Sequence, residues 1–217
     1  YYLSEARRYY TNIVGKYGIQ VQNALKKLSG IPINMIVPLH GPIWRTEEDI
    51  KYILDLYNKW SSYTPEKKGV VLAYGSMYGN TENIVNCIAN SLAKKGVKDM
   101  KVFDVSKTHP SYIIAEAWKY SNLVIAAPTY NAGLYLVMDS LLHEMASLNF
   151  QKRKVSLIGN HTWATGALPA LKAKFEKEFK NMELVGELLD IKSALRPEEE
   201  KLIDELTDEI VKSLEII

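Results

Sequence analysis

Apolar and polar residues alternate along this chain in two rhythms. Short continuous apolar runs occur near residues 70–74, 101–105, 122–127 and 154–159, with a shorter last run at 184–191. Between them, apolar positions recur at helical spacing over 82–95, 111–120, 134–148, 167–180 and 197–214. Strands separated by helices of this length predict parallel pairing, with helices on both faces of one sheet. Pro197 stands where a first helical turn accepts it, and Glu198, Glu199 and Glu200 complement the positive end of the helix dipole. The unit beginning near Gly69 therefore reads as five βα repeats.

The residues before it follow a different plan. Helical patterns cover 3–14 and 19–28, a strand candidate covers 33–37, and a further helix runs from about 46 to 60. These elements are too few to enclose a core of their own. Residues 61–68, with Pro65 and charged neighbours, read as a linker. The expected division is a partial α/β segment at 1–64 and a complete α/β domain at 65–217.

The candidate chemistry lies at the loops that follow the predicted strands. After the first strand come Gly75, Ser76, Met77, Tyr78, Gly79, Asn80 and Thr81, and then a helical pattern opens. Backbone N–H groups at a helix N-terminus have no partners inside the helix, so they can bind a phosphate without Lys or Arg. Ser76 and Thr81 add hydroxyls, while Gly79 and Asn80 tolerate a left-handed backbone. The plain alternative is a capped helix after a polar turn. A P-loop would need a Lys before its Ser or Thr, and a dinucleotide fingerprint would need three spaced glycines; neither occurs. A terminal phosphate on a mononucleotide remains, the ligand of the flavodoxin-like doubly wound fold, whose strand order is 2-1-3-4-5.

Two more loops follow strands expected to flank the first. One holds Pro128, Thr129, Tyr130, Asn131, Ala132, Gly133, Leu134 and Tyr135; the other holds Asn160, His161, Thr162, Trp163, Ala164, Thr165 and Gly166. Both offer polar groups to the edge of a flat heteroaromatic ring. Tyr130 and Trp163 are candidates for its face or for simple loop packing.

These residues carry a resemblance. The run from Ser76 to Thr81 resembles the FMN phosphate loop of flavodoxins in the form found in flavodiiron proteins, the A-type flavoproteins. The runs at 128–131 and 160–164 are similar to that family's two isoalloxazine loops. Upstream, Pro38, Leu39, His40, Gly41, Pro42, Ile43, Trp44 and Arg45 look like the end of the family's metallo-β-lactamase-like domain. The resemblance spans essentially the whole chain. It implies cofactor-binding roles for Ser76, Met77, Tyr78, Gly79, Asn80, Thr81, Pro128, Thr129, Tyr130, Asn131, Gly133, Asn160, His161, Thr162, Trp163 and Ala164, and a metal-ligating role for His40. The family's H-x-E-x-D-H run is absent, and His40, His109, His143 and His161 are the only histidines. A di-iron centre needs several imidazole and carboxylate ligands, so it is expected only in a complete protein that supplies the rest.

Composition narrows the classes. The 27 basic and 25 acidic residues are interspersed, which speaks against nucleic acid as a partner. No apolar run has the length of a membrane span. The single cysteine, Cys87, falls within a helical pattern and suits a reducing, cytoplasmic setting. What the resemblance implies is the FMN electron-transfer part of a flavodiiron oxygen or nitric oxide reductase. Electrons would come from a rubredoxin-like or other small donor, with a missing N-terminal segment and a homo-oligomer as further partners. A stand-alone flavodoxin-like carrier, a flavin-dependent quinone reductase module and an interaction domain without flavin stay open beside it.

Overall fold

A computed structural model describes residues 2–215. Five of its elements form the main parallel sheet: β1 (Lys67–Tyr74), β2 (Met100–Asp104), β3 (Tyr120–Tyr130), β5 (Lys154–His161) and β6 (Glu183–Leu184), in the order β2-β1-β3-β5-β6. A two-residue β4 (Gly133–Leu134) pairs antiparallel with the end of β3, and β7 (Leu189–Lys192) pairs parallel with the second half of β5. The expected order is thus present, with the fifth strand divided. Gly186, at φ +74, lies in the break between β6 and β7, where the chain leaves the ladder after Leu184 and rejoins it at Leu189.

The buried strands sort their side chains to two faces, as period-two pleating requires. Val71 and Ala73 of β1 and Leu123, Ile125 and Ala127 of β3 enter one core. Helices α5 (Pro110–Lys119), α6 (Leu136–Ser147) and α7 (Ala167–Glu178) cover that face. Val70, Leu72 and Tyr74, with Val124 and Ala126, enter the other, beneath α4 (Asn80–Lys94) and α8 (Glu200–Glu215). Pro197 opens a 3-10 turn, Pro197–Glu199, that runs directly into α8.

The first sixty residues join the first of these cores. Helix α1 (Tyr2–Tyr9) continues through a π turn at Tyr10–Val14 and a 3-10 turn at Gly15–Tyr17 into α2 (Gly18–Leu28); α3 (Glu47–Ser61) follows. Tyr10, Ile53, Leu56 and Trp60 are buried in one cluster with Trp118 and Phe150. The strand candidate at 33–37 is reduced to a single antiparallel bridge, Ile36 with Trp44. Pro32, Pro38 and Pro42 remove backbone donors from this stretch, so a ladder cannot extend.

The stretch expected to be a linker is pinned instead. Tyr63 is buried at φ +59, and its hydroxyl donates to the Gly15 carbonyl at 2.9 Å. The Arg153 guanidinium, wholly enclosed, donates to the carbonyls of Tyr63, Ala117, Trp118, Gln151 and Lys152. Burial presses its pKa down to about 9, against the opposing pull of Glu66. Glu66 in turn pairs with buried Arg7 and accepts from the Trp60 indole at 2.6 Å.

Candidate functional site

All three candidate loops emerge at the carboxyl ends of neighbouring strands β1, β3 and β5. In an open parallel sheet this is the ligand-binding edge, because adjacent crossovers leave a crevice there.

The first loop bridges β1 and α4. Gly79 is the N-cap of α4 at φ +88, a left-handed conformation that glycine adopts without cost, and open space lies where its Cβ would stand. The Ser76 hydroxyl accepts from the Gly79 N–H at 3.1 Å and the Glu82 N–H at 3.4 Å, curling the loop over the helix end. The N–H groups of Met77, Tyr78, Asn80 and Thr81 have no protein acceptor among the described residues. Four backbone donors without protein acceptors thus lie at the start of one helix, a donor set whose chemistry suits an anion. Thr81 is buried, whereas Tyr78 is 91% exposed and Met77 about half-buried. Below the loop, the Tyr74 hydroxyl donates to Glu82 at 3.0 Å, and burial with that bond pushes its pKa up to about 12.

The second loop is a tight hairpin. Thr129 pairs with Leu134 and Tyr130 with Gly133, leaving Asn131 and Ala132 as a two-residue turn. Both have positive φ, 47° and 60°, the requirement of a type I′ turn. Asn tolerates this well; Ala does so only under strain, which tight packing must offset. Tyr135, just beyond, lies against Gly75 so closely that a Cβ there would stand 2.4 Å from its ring. Its hydroxyl reaches Ser106 after β2 at 3.0 Å.

The third loop joins β5 to α7. The Asn160 side chain is buried and donates to the carbonyls of Ile191 and Ser193, so its amide serves the β5–β7 junction. His161 pairs through Nδ1 with Asp190 at 3.0 Å, and Thr165 donates to the same carboxylate. Between them Thr162, Trp163 and Ala164 are exposed, Trp163 at 97%. Gly166 packs against the second loop, where a Cβ would stand 2.7 Å from the Ala132 carbonyl oxygen.

The predicted residues therefore converge on one edge, but they divide into two kinds. Thr129 and Asn160 use their side chains to brace the loops, while Tyr78, Tyr130 and Trp163 are left open to solvent. Sequence reasoning placed Tyr135 and Thr165 in the loops without giving either a role, and passed over Asp190. Asp190 carries a readable signal: a carboxylate within the apolar run Leu188, Leu189, Ile191 is out of place unless it has partners.

His40 lies outside the three loops, on the segment between α2 and α3. It is exposed and lies beside Tyr9, with ring centroids 5.3 Å apart. It lines an apolar groove of about 750 Å³ together with Tyr9, Leu25, Ile36, Trp44 and Tyr57. Among the described residues, no three His, Cys, Asp or Glu side chains come together so as to hold a metal ion, and no helix is long and apolar enough to cross a membrane.

Comparison with known proteins agrees with this architecture. Residues 72–205 match the flavodoxin family. An anaerobic nitric oxide reductase flavorubredoxin from Escherichia coli is 25% identical over 201 residues, which is 91% of this chain and 40% of that protein. Among solved structures, rubredoxin oxygen:oxidoreductase from Desulfovibrio gigas superposes with a TM-score of 0.87 at 23% identity, over 97% of this chain and 52% of that one. A flavo di-iron protein variant from Thermotoga maritima gives 0.83 at 25% identity, over 98% and 52%. The chain thus spans about half the length, or less, of these relatives. It belongs to the flavodoxin family, and its likeness to flavodiiron proteins extends through the helices that precede the flavodoxin unit.

Proposed function

We propose that this chain is the FMN-binding electron-transfer part of a flavodiiron oxygen or nitric oxide reductase. The observation that carries the reading is the set of four N–H groups, at Met77, Tyr78, Asn80 and Thr81, left without protein acceptors at the start of α4. They would hold the FMN phosphate, with Ser76 shaping the loop and Gly79 leaving room for it. The loops at 128–135 and 160–164 would hold the ring, Pro128, Thr129, Tyr130, Asn131 and Gly133 on one side and Asn160, His161, Thr162, Trp163 and Ala164 on the other. FMN exchanges electrons singly or in pairs and can join a one-electron donor to a multi-electron reduction. The protein's part is to bind the phosphate, orient the ring and tune it with backbone donors; no side chain acts as acid, base or nucleophile.

Residues 1–64 are read as the end of a metallo-β-lactamase-like domain and 65–217 as the flavodoxin-like domain. His40 would be one metal ligand among others supplied by the rest of a longer protein, which would also cover the groove beside it. A rubredoxin-like donor, a homo-oligomeric assembly and a cytoplasmic setting belong to the same reading. Similarity over 91% of the chain, including the helices before β1, favours it over a stand-alone carrier or quinone reductase module.

Titration of the flavin-free protein with FMN, followed by quenching of flavin fluorescence, tests the reading. One FMN per chain is expected, with FMN much preferred over riboflavin, which lacks the phosphate. Equal affinity for the two would remove the phosphate site and the reading with it.

A further inference from the structure

The Asp190 carboxylate reaches across from β7 to the third loop and holds it at both ends. One oxygen faces His161 Nδ1 at 3.0 Å, at the end of β5, and the other accepts from the Thr165 hydroxyl, where the loop turns into α7. Asp190 is the register partner of Gly159. A Cβ at 159 would stand 2.7 Å from the nearer carboxylate oxygen, so the glycine makes the space through which Asp190 reaches the loop. The Ser193 N–H adds a third tie, donating to the His161 carbonyl at 2.8 Å. Asp190 and His161 are both partly buried, with side chains 23% and 17% exposed, which limits competition from water. The three residues spanned, Thr162, Trp163 and Ala164, are exposed.

An ionised carboxylate only accepts hydrogen bonds, so the 3.0 Å contact fixes the proton of His161 on Nδ1. Its other ring nitrogen, Nε2, has no protein partner among the described residues. When the imidazole is neutral, Nε2 is then an acceptor at the edge read as the flavin's. Free imidazole side chains in water place the proton mainly on Nε2, so the observed pairing reverses the ordinary preference.

We propose that Asp190 is a positioning residue for the cofactor edge: it clamps the loop 161–165 through His161 and Thr165 and presents His161 Nε2 as an acceptor. The inference rests on the flavin reading above, and adds to it a residue outside the three loops. Its physical effect is preorganisation, since a loop already held in its bound shape loses less entropy when ligand arrives.

Two measurements on the same proteins test it. Imidazole nitrogen shifts in the flavin-free protein, read on the alkaline plateau of the spectra, should show the proton of His161 on Nδ1 in the wild type and mainly on Nε2 in Asp190→Ala. FMN affinity should fall about tenfold in Asp190→Ala, the size of one charge-assisted hydrogen bond turned into preorganisation. Asp190→Asn can still accept from His161 and donate to the Thr165 oxygen, so it should restore affinity to within about threefold of wild type. The two losses should not add in Asp190→Ala combined with His161→Ala. A wild-type His161 carrying its proton on Nε2, or an Asp190→Ala protein with unchanged FMN affinity, would overturn the clamp. Wild type that binds no FMN while showing the Nδ1 proton would instead overturn the flavin reading, and the cofactor half of this inference with it.

Discussion

The hydroxyl of Thr129, at the end of β3, accepts hydrogen bonds from the backbone N–H groups of Gly166 at 3.1 Å and Ala167 at 3.0 Å. A side chain of the second loop therefore caps the helix that follows the third. Two donors that a helix start leaves unpaired are satisfied from across the sheet edge, so the second and third loops cannot move independently. Thr129→Val keeps the shape and removes the acceptor. Stability should fall by about 1–2 kcal/mol, as for a lost cap, and FMN affinity should fall with it. Thr129→Ser should recover most of both. Chemical denaturation and flavin titration of the three proteins measure this, and a Val variant as tight and as stable as wild type would show that the two loops are not coupled here.

Gly79 separates strain from charge. Its φ of +88 disfavours any side chain, but open space surrounds the missing Cβ. Gly79→Ala should therefore lose only about 1 kcal/mol of stability from backbone strain. Gly79→Asp places a negative group among the free donors and should weaken FMN by well over tenfold, more than about 1.4 kcal/mol. If FMN affinity is the same in the Ala and Asp variants, the phosphate does not sit at this turn.

Trp163, almost wholly exposed, has nothing in the folded chain to lose. Trp163→Ala should change stability by less than about 0.5 kcal/mol, as surface substitutions do. The flavin's absorption bands or midpoint potential should shift, since the indole is the large aromatic nearest the middle of the third loop. Flavin spectra and potentials that do not move would assign Trp163 to some other contact.

The pair Tyr74 and Glu82 makes a prediction in pH. The Tyr74 value, pushed up to about 12, stands above the ordinary 10.0, so the hydroxyl's contribution to stability is complete below pH 10 and is withdrawn between pH 10 and about 12. Tyr74→Phe removes the bond to Glu82 and with it this arm of the alkaline transition. Stability of wild type and variant should therefore converge as pH rises through that window. Curves that stay parallel from pH 9 to about 12 would mean that Tyr74 ionises as it does when unfolded.

The βα periodicity was legible because each buried strand is a continuous apolar run and each helix keeps one apolar face, so local pattern and fold agree. The turn at 75–81 was legible as a helix start with a left-handed glycine for a similar reason, since both features lie in one short segment. Thr129, Asn160 and Asp190 were opaque in role because their partners lie 25 to 38 residues away, across strands. A polar residue in a loop looks the same whether it faces a ligand or braces its neighbour. The divided fifth strand was hidden by Leu184 and Ile191 belonging to one apolar run, although the chain turns out of the sheet between them at Gly186. The stretch at 61–68 looked like a connector because Pro65 stands in it beside charged neighbours, yet Tyr63 within it is buried.

That burial bears on how the molecule can be taken apart. A chain trimmed or cleaved between Ser61 and Lys68 would withdraw Trp60 from the core and remove the Tyr63 carbonyl from the circle of acceptors around Arg153. The guanidinium would then be an enclosed cation with weakened pairing, beneath a helix end it no longer shares with α3. Amide protons of β3 and α5 should accordingly exchange in one cooperative step with those of α3 in the intact chain. A fragment beginning at Lys67 should emerge as a looser, protease-sensitive body rather than as a clean core.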